Sequence, residues 1–136
     1  MTRYDEDFFR WATEQAEALR GGRIAELDIE NKAEEIESMA NRDLRELHRR
    51  LWRILEHNLK LLLLAGPIRQ QHERGCELSI ESQQAEIEFL LQQSPSLRGR
   101  IAELLPSAYR RAVKSVATGY GLVAPPECPW SAEELL

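Results

Sequence analysis

RDLRELHRRLWRILEHNLKLLLL, residues 42–64, reads as a helix along its whole length. Leu44, Leu47, Leu51, Ile54, Asn58 and Leu61 recur at steps of three and four, a near-heptad stripe on one helical face. Leu, Arg and Glu, which fill the segment, are good helix formers. The last turns, Leu59 to Leu64, are apolar almost all round, which marks a helix end enclosed by several neighbours. Asn41 is a candidate N-cap, and Gly66-Pro67 is the stop. Such a helix needs partners from the rest of the chain.

Upstream, a helix is expected from Asp5 to Arg20, capped by Asp5, with Phe8, Phe9, Ala12, Ala16 and Leu19 inward and Gly21-Gly22 after its end. A second begins near Asp28, where Ile29, Ala33, Ile36 and Ala40 form an apolar stripe. Asn41 leaves open whether this helix and residues 42–64 are separate or one rod. Downstream, the polar, poorly patterned stretch Gly66–Cys76 reads as a loop. A helix over Ser79–Gln93 follows, with Ile80, Ile87, Leu90 and Leu91 inward. Ser94-Pro95 starts a fifth helix carrying Leu97, Ile101, Leu104 and Leu105, and Pro106 kinks it or divides it from a sixth, Ser107 to Thr118.

The fold class is therefore all-α, a compact, mostly antiparallel bundle of about five or six helices. Residues 1–136 are expected to form a single helical domain. Residues 119–136 make an extended C-terminal tail, in which the capping-box pattern Ser131–Glu134 opens one last helical turn. The expected core is Leu47, Leu51, Ile54, Leu55, Leu61 and Leu62, flanked by Phe8, Ile36, Ile87, Leu90, Ile101 and Val116. A chain of this length can bury about two-thirds of its unfolded surface, enough for a core without metals or disulfides.

The similarity of this chain to known sequences rests on Tyr4-Asp5-Glu6-Asp7-Phe8, Trp11 and Leu19-Arg20, then Leu27–Asn31 and Ala33–Met39. It continues through His57 with Leu59-Lys60, Ser94–Leu97, Tyr109 and Cys128-Pro129-Trp130. On these motifs, spread over nearly the whole chain, it resembles the bacterial family catalogued as domain of unknown function twenty-nine. Where that family usually carries Trp-Arg, this chain has Cys76 and Glu77. The resemblance implies one all-α cytoplasmic domain and brings no catalytic residues with it.

Eighteen basic and twenty-three acidic residues leave a net charge of −5, which argues against a dominant role on nucleic acid or anionic membranes. The total conceals alternating blocks. Residues 1–40 hold five basic and eleven acidic groups, 41–74 eight and four, 75–97 none and four, 98–114 five and one, and 115–136 none and three. Apolar runs are too short to span a bilayer, and no secretory leader pattern opens the chain, so a cytoplasmic location is expected without membrane partners. Cys76 and Cys128 read as idle thiols.

Four constellations could carry chemistry. Glu30, Glu34 and Glu37 share one helix face and, with His57, are candidate metal ligands; the commoner reading is a solvated or arginine-paired face. His72 and Cys76, four apart, supply only two ligands where structural zinc needs four. Arg45, Arg49, Arg50 and Arg53 cluster on one helix, and Arg110, Arg111 and Lys114 on another. These read first as partners of internal carboxylates and second as a surface for nucleic acid or a protein partner. His57 and Asn58 read as core-edge polar groups. No phosphate loop, nucleophile elbow, zinc-protease helix or Cys/His cluster is present. No cofactor and no catalytic residue are expected. The favoured function is a protein-interaction or regulatory module, self-association included. The alternatives are a nucleic-acid-associated protein using the arginines and a metal-binding helical enzyme.

Overall fold

The computed structural model describes all 136 residues and is all-α. Its five α-helices are α1 (Phe8–Arg20), α2 (Ile29–Leu63), α3 (Gly66–Gln93), α4 (Ile101–Tyr120) and α5 (Ala132–Leu135), with 3-10 turns at Ile24–Glu26 and Pro95–Arg100. No helix is long and apolar enough to cross a membrane. The chain forms two packed units, Met1–Arg42 and Asp43–Leu136.

In the N-terminal unit, α1 is capped by Asp7, two residues later than the sequence suggests, whose side chain accepts from the Arg10 amide at 3.0 Å. Its inward face is Trp11, Gln15 and Ala18, not Phe8, Phe9 and Leu19, which are exposed. Polar pairing selects this face. Trp11 Nε1 donates to Asp28 Oδ2 (3.0 Å), Gln15 Nε2 donates to the Glu26 carbonyl (3.2 Å), and the Asp28 amide donates to Gln15 Oε1 (2.8 Å). These bonds satisfy loop groups that apolar side chains would leave orphaned. Tyr4 packs edge-on to Trp11, ring centres 4.8 Å apart, and donates its hydroxyl to Glu35. That bond to a carboxylate pushes the Tyr4 pKa up to about 12. Asp28 accepts from the Asn31 side chain (2.8 Å) and amide (3.4 Å), which caps α2 and holds its own carboxyl below the usual range. Ile36, expected in the core, is exposed.

Asn41 is not a cap: α2 passes through it without a break. In the C-terminal unit Leu47, Leu51, Ile54, Leu55 and Leu59 are buried against Ile87, Leu90 and Leu91 of α3 and Ile101, Ala108, Ala112 and Val116 of α4. Leu59 takes the place expected for Leu61 and Leu62, of which Leu61 is half-buried and Leu62 exposed.

The stretch read as a loop, Gly66–Cys76, is the first part of α3. Gly66 turns the chain with φ +66°, and Pro67, the second residue of α3, has a backbone preset for the helix. Arg69 donates to the Leu61 carbonyl at the end of α2 (3.1 Å) and pairs with Glu73 (2.8 Å). Residues 69, 72, 73, 76, 80, 83, 84, 87, 90 and 91 form one buried or half-buried stripe at helical spacing. Its first half is polar, which is why apolar periodicity does not reveal it. Pro106 lies inside α4 rather than dividing it, and Gly121, φ +66°, ends that helix. The tail is fastened by Tyr109, whose hydroxyl donates to the Pro125 carbonyl (2.6 Å), and by Gln84, which donates to the Leu135 carbonyl (2.9 Å). Ser131 and Glu134 form the expected capping box.

Candidate functional site

The two arginine clusters converge. Arg45, Arg49 and Arg53 project from α2, and Arg110, Arg111 and Lys114 from α4, and all six are exposed. Between them lies Trp52, half-buried, with the Arg111 guanidinium 4.7 Å and the Arg53 guanidinium 5.2 Å from its ring centre. A groove of about 450 Å³ is lined by Leu44, Arg45, His48, Arg49, Trp52, Arg53, Leu104 and Arg111. A second, of about 650 Å³, adjoins it through Trp52 and Arg111 and takes in Ser107, Arg110, Lys114, Ser115 and Thr118. His48 Nε2 meets Ser107 Oγ at 3.1 Å, tying α2 to α4 at the groove. Burial and the neighbouring Arg111 charge lower the His48 pKa.

The surface differs chemically from most other arginines of the same unit, Arg98 being the one outside the groove that is likewise without an ion pair. Arg50, Arg69, Arg74 and Arg100 all pair with carboxylates of their unit. None of the six groove cations has such a partner within 4.0 Å; the ion pairs of this unit all involve other residues. Internal pairing therefore does not account for them. Arg50, grouped with them by sequence, is set apart: it binds Glu46 (2.9 Å) and Gln83 (3.0 Å) and approaches Glu86 (3.7 Å), joining α2 to α3.

The acidic candidates are placed elsewhere. Glu30, Glu34 and Glu37 lie exposed on the part of α2 within the N-terminal unit. His57 lies in the C-terminal unit, twenty residues beyond Glu37 in the sequence. No group of three or more His, Cys, Asp and Glu residues is placed to hold a metal ion. His57 is half-buried, its Nδ1 has no hydrogen-bond partner, and burial with the nearby Lys60 charge lowers its pKa.

Sequence reasoning missed one polar cluster in the C-terminal unit. Lys60 is buried, pairs with Glu56 at 3.5 Å, and sets its ammonium 4.7 Å from the Tyr120 ring centre. Ser115 donates to Glu56 (3.0 Å), and His72 packs edge-on to Tyr120. Burial raises the pKa of the Cys76 thiol, away from the range of a reactive thiolate. The one sequence signal for this cluster is a lysine within the apolar run Leu59–Leu64. Glu56 and Lys60 are matched to each other and to Ser115, and the one buried side-chain nitrogen or oxygen without a partner is His57 Nδ1, so the cluster reads as a core-edge network.

No curated protein and no solved structure matches the chain. The profile described as "Domain of unknown function DUF29" matches residues 3–136, essentially the whole sequence, and the chain belongs to that family.

Proposed function

We propose that the chain is a protein-interaction module whose groove between α2 and α4 docks an acidic, partly apolar segment of a protein partner. The observation that carries this reading is the set of six exposed cations around Trp52 that have no carboxylate of their own unit. Guanidinium groups left in this state are open to carboxylates arriving from outside. Leu44, Leu104 and Trp52 in the same groove supply the apolar floor that an amphipathic helix requires. The cluster of cations also favours a second reading, contact with nucleic-acid phosphates. The indole argues against it: base stacking needs a free ring, and two guanidiniums already lie over Trp52.

Fluorescence anisotropy with a labelled helical peptide of alternating Glu and Leu faces, and with a single-stranded RNA of mixed sequence, tests the choice. Peptide binding that falls about tenfold or more in the Arg49→Glu/Arg111→Glu protein supports the module. Salt-dependent RNA binding with no peptide binding overturns it in favour of the nucleic-acid reading.

A further inference from the structure

The exposed N-terminal part of α2 has the complementary chemistry. Ile29, Ala33, Ile36 and Ala40 fall within an arc of about 60° on the helix. All four are exposed, Ile29 and Ile36 at 63% and 67%. Glu30, Glu34 and Glu37 run beside the ridge, about 100° further round. They have no basic side chain of their own unit within 4.0 Å, since the ion pairs there involve other residues. An apolar ridge flanked by unpaired carboxylates is what an apolar-floored groove flanked by unpaired guanidiniums fits. Exposed isoleucines in a row also mark a surface that becomes covered.

We propose that the partner is a second copy of this chain: the Ile29–Ala40 face of one copy docks in the Trp52 groove of another. This rests on the interaction-module reading and names its occupant. Charge complementarity selects the second copy, because each chain carries one face of each sign and neither is neutralised within its own unit. Two copies that exchange the contact twice form a two-fold dimer. Apolar contact between the ridge and Leu44, Trp52 and Leu104 supplies affinity, and the charges set which face meets which.

The test uses the full-length protein in sedimentation velocity across a wide concentration range, at low and high salt. The expected result is concentration-dependent self-association that weakens with salt. It should weaken about 100-fold or more in Arg49→Glu/Arg53→Glu, and likewise in Glu30→Arg/Glu34→Arg/Glu37→Arg. All five positions are exposed, and circular dichroism verifies that each variant keeps its helices. An equimolar mixture of the two variants should associate where each alone does not, because the reversed helix of one fits the reversed groove of the other. Wild-type protein that stays monomeric at every concentration overturns the proposal, as does self-association that survives both reversals. If that monomer still binds the Glu/Leu peptide, only the identity of the partner falls; if it binds neither, the interaction reading falls with it.

Discussion

Arg111 of α4 holds its guanidinium 4.7 Å from the centre of the Trp52 ring on α2. Residues fifty-nine positions apart in the chain thus share one platform, and the ring that packs against the core also orients the charge above it. Trp52→Ala should lower stability by about 1–3 kcal/mol, less than a fully buried indole because Trp52 is half-exposed. It should also weaken acidic-peptide binding about tenfold or more, whereas Trp52→Phe keeps most of both. Urea unfolding and anisotropy measure the two effects separately.

Leu51 is fully buried in the second unit and Leu62 is 53% exposed, though both lie in the same leucine-rich helix. Leu51→Ala should cost about 2–5 kcal/mol, the transfer loss plus the cavity. Leu62→Ala should cost about 0.5 kcal/mol or less. Equal losses in denaturant unfolding would place the wrong face of α2 against the core.

Lys60 and Glu56 form a pair in which each side chain is mostly removed from water. Lys60→Met removes the ion pair and the contact with Tyr120 and leaves Glu56 with Ser115 as its hydrogen-bond donor. A loss of about 1–3 kcal/mol is expected. Adding Glu56→Gln should return part of it, because no charge is then left desolvated. A double-mutant cycle by thermal unfolding reads this coupling; additive losses would contradict it.

His57 has a proton affinity lowered by burial and by Lys60, so the unfolded chain binds its proton more readily than the folded one. Stability contributed by the neutral ring is full above the unfolded value near 6.5 and is lost as pH falls from there toward the lower folded value. His48, lowered by burial and by Arg111, acts in the same direction. His57→Leu removes one titrating group and an unpartnered buried nitrogen, so it should flatten the decline in stability as pH falls below about 6.5. Urea midpoints of wild type and variant across that range measure the change; an unchanged slope would show that His57 is not the group responsible.

Helix type and the hydrophobic seam of the second unit were written locally. The i, i+3, i+4 recurrence of Leu47, Leu51 and Ile54 is a property of nearby residues, and burial of that stripe follows from it. The Ser131–Glu134 cap was legible for the same reason. The first half of α3 was not, because its inward positions Arg69, His72 and Glu73 are polar and become a stripe only once they have partners such as the Leu61 carbonyl and Tyr120. The inward face of α1 was likewise settled by hydrogen bonds from Trp11 and Gln15 to a loop seventeen or fewer residues away, against the larger apolar area of Phe8 and Phe9.

The candidate site divides in the same way. The sequence alone determined that the chain is all-α, that its charge alternates in blocks, and that arginines cluster on two separate segments. Periodicity and composition are local properties and survive without a fold. Only the tertiary structure decided that the clusters on α2 and α4 meet at Trp52, that Arg50 turns aside to Glu46 and Gln83, and that the other six cations lack carboxylates of their own unit. Whether a charge is paired depends on which side chains lie within a few ångströms in space, and packing of distant segments sets that distance.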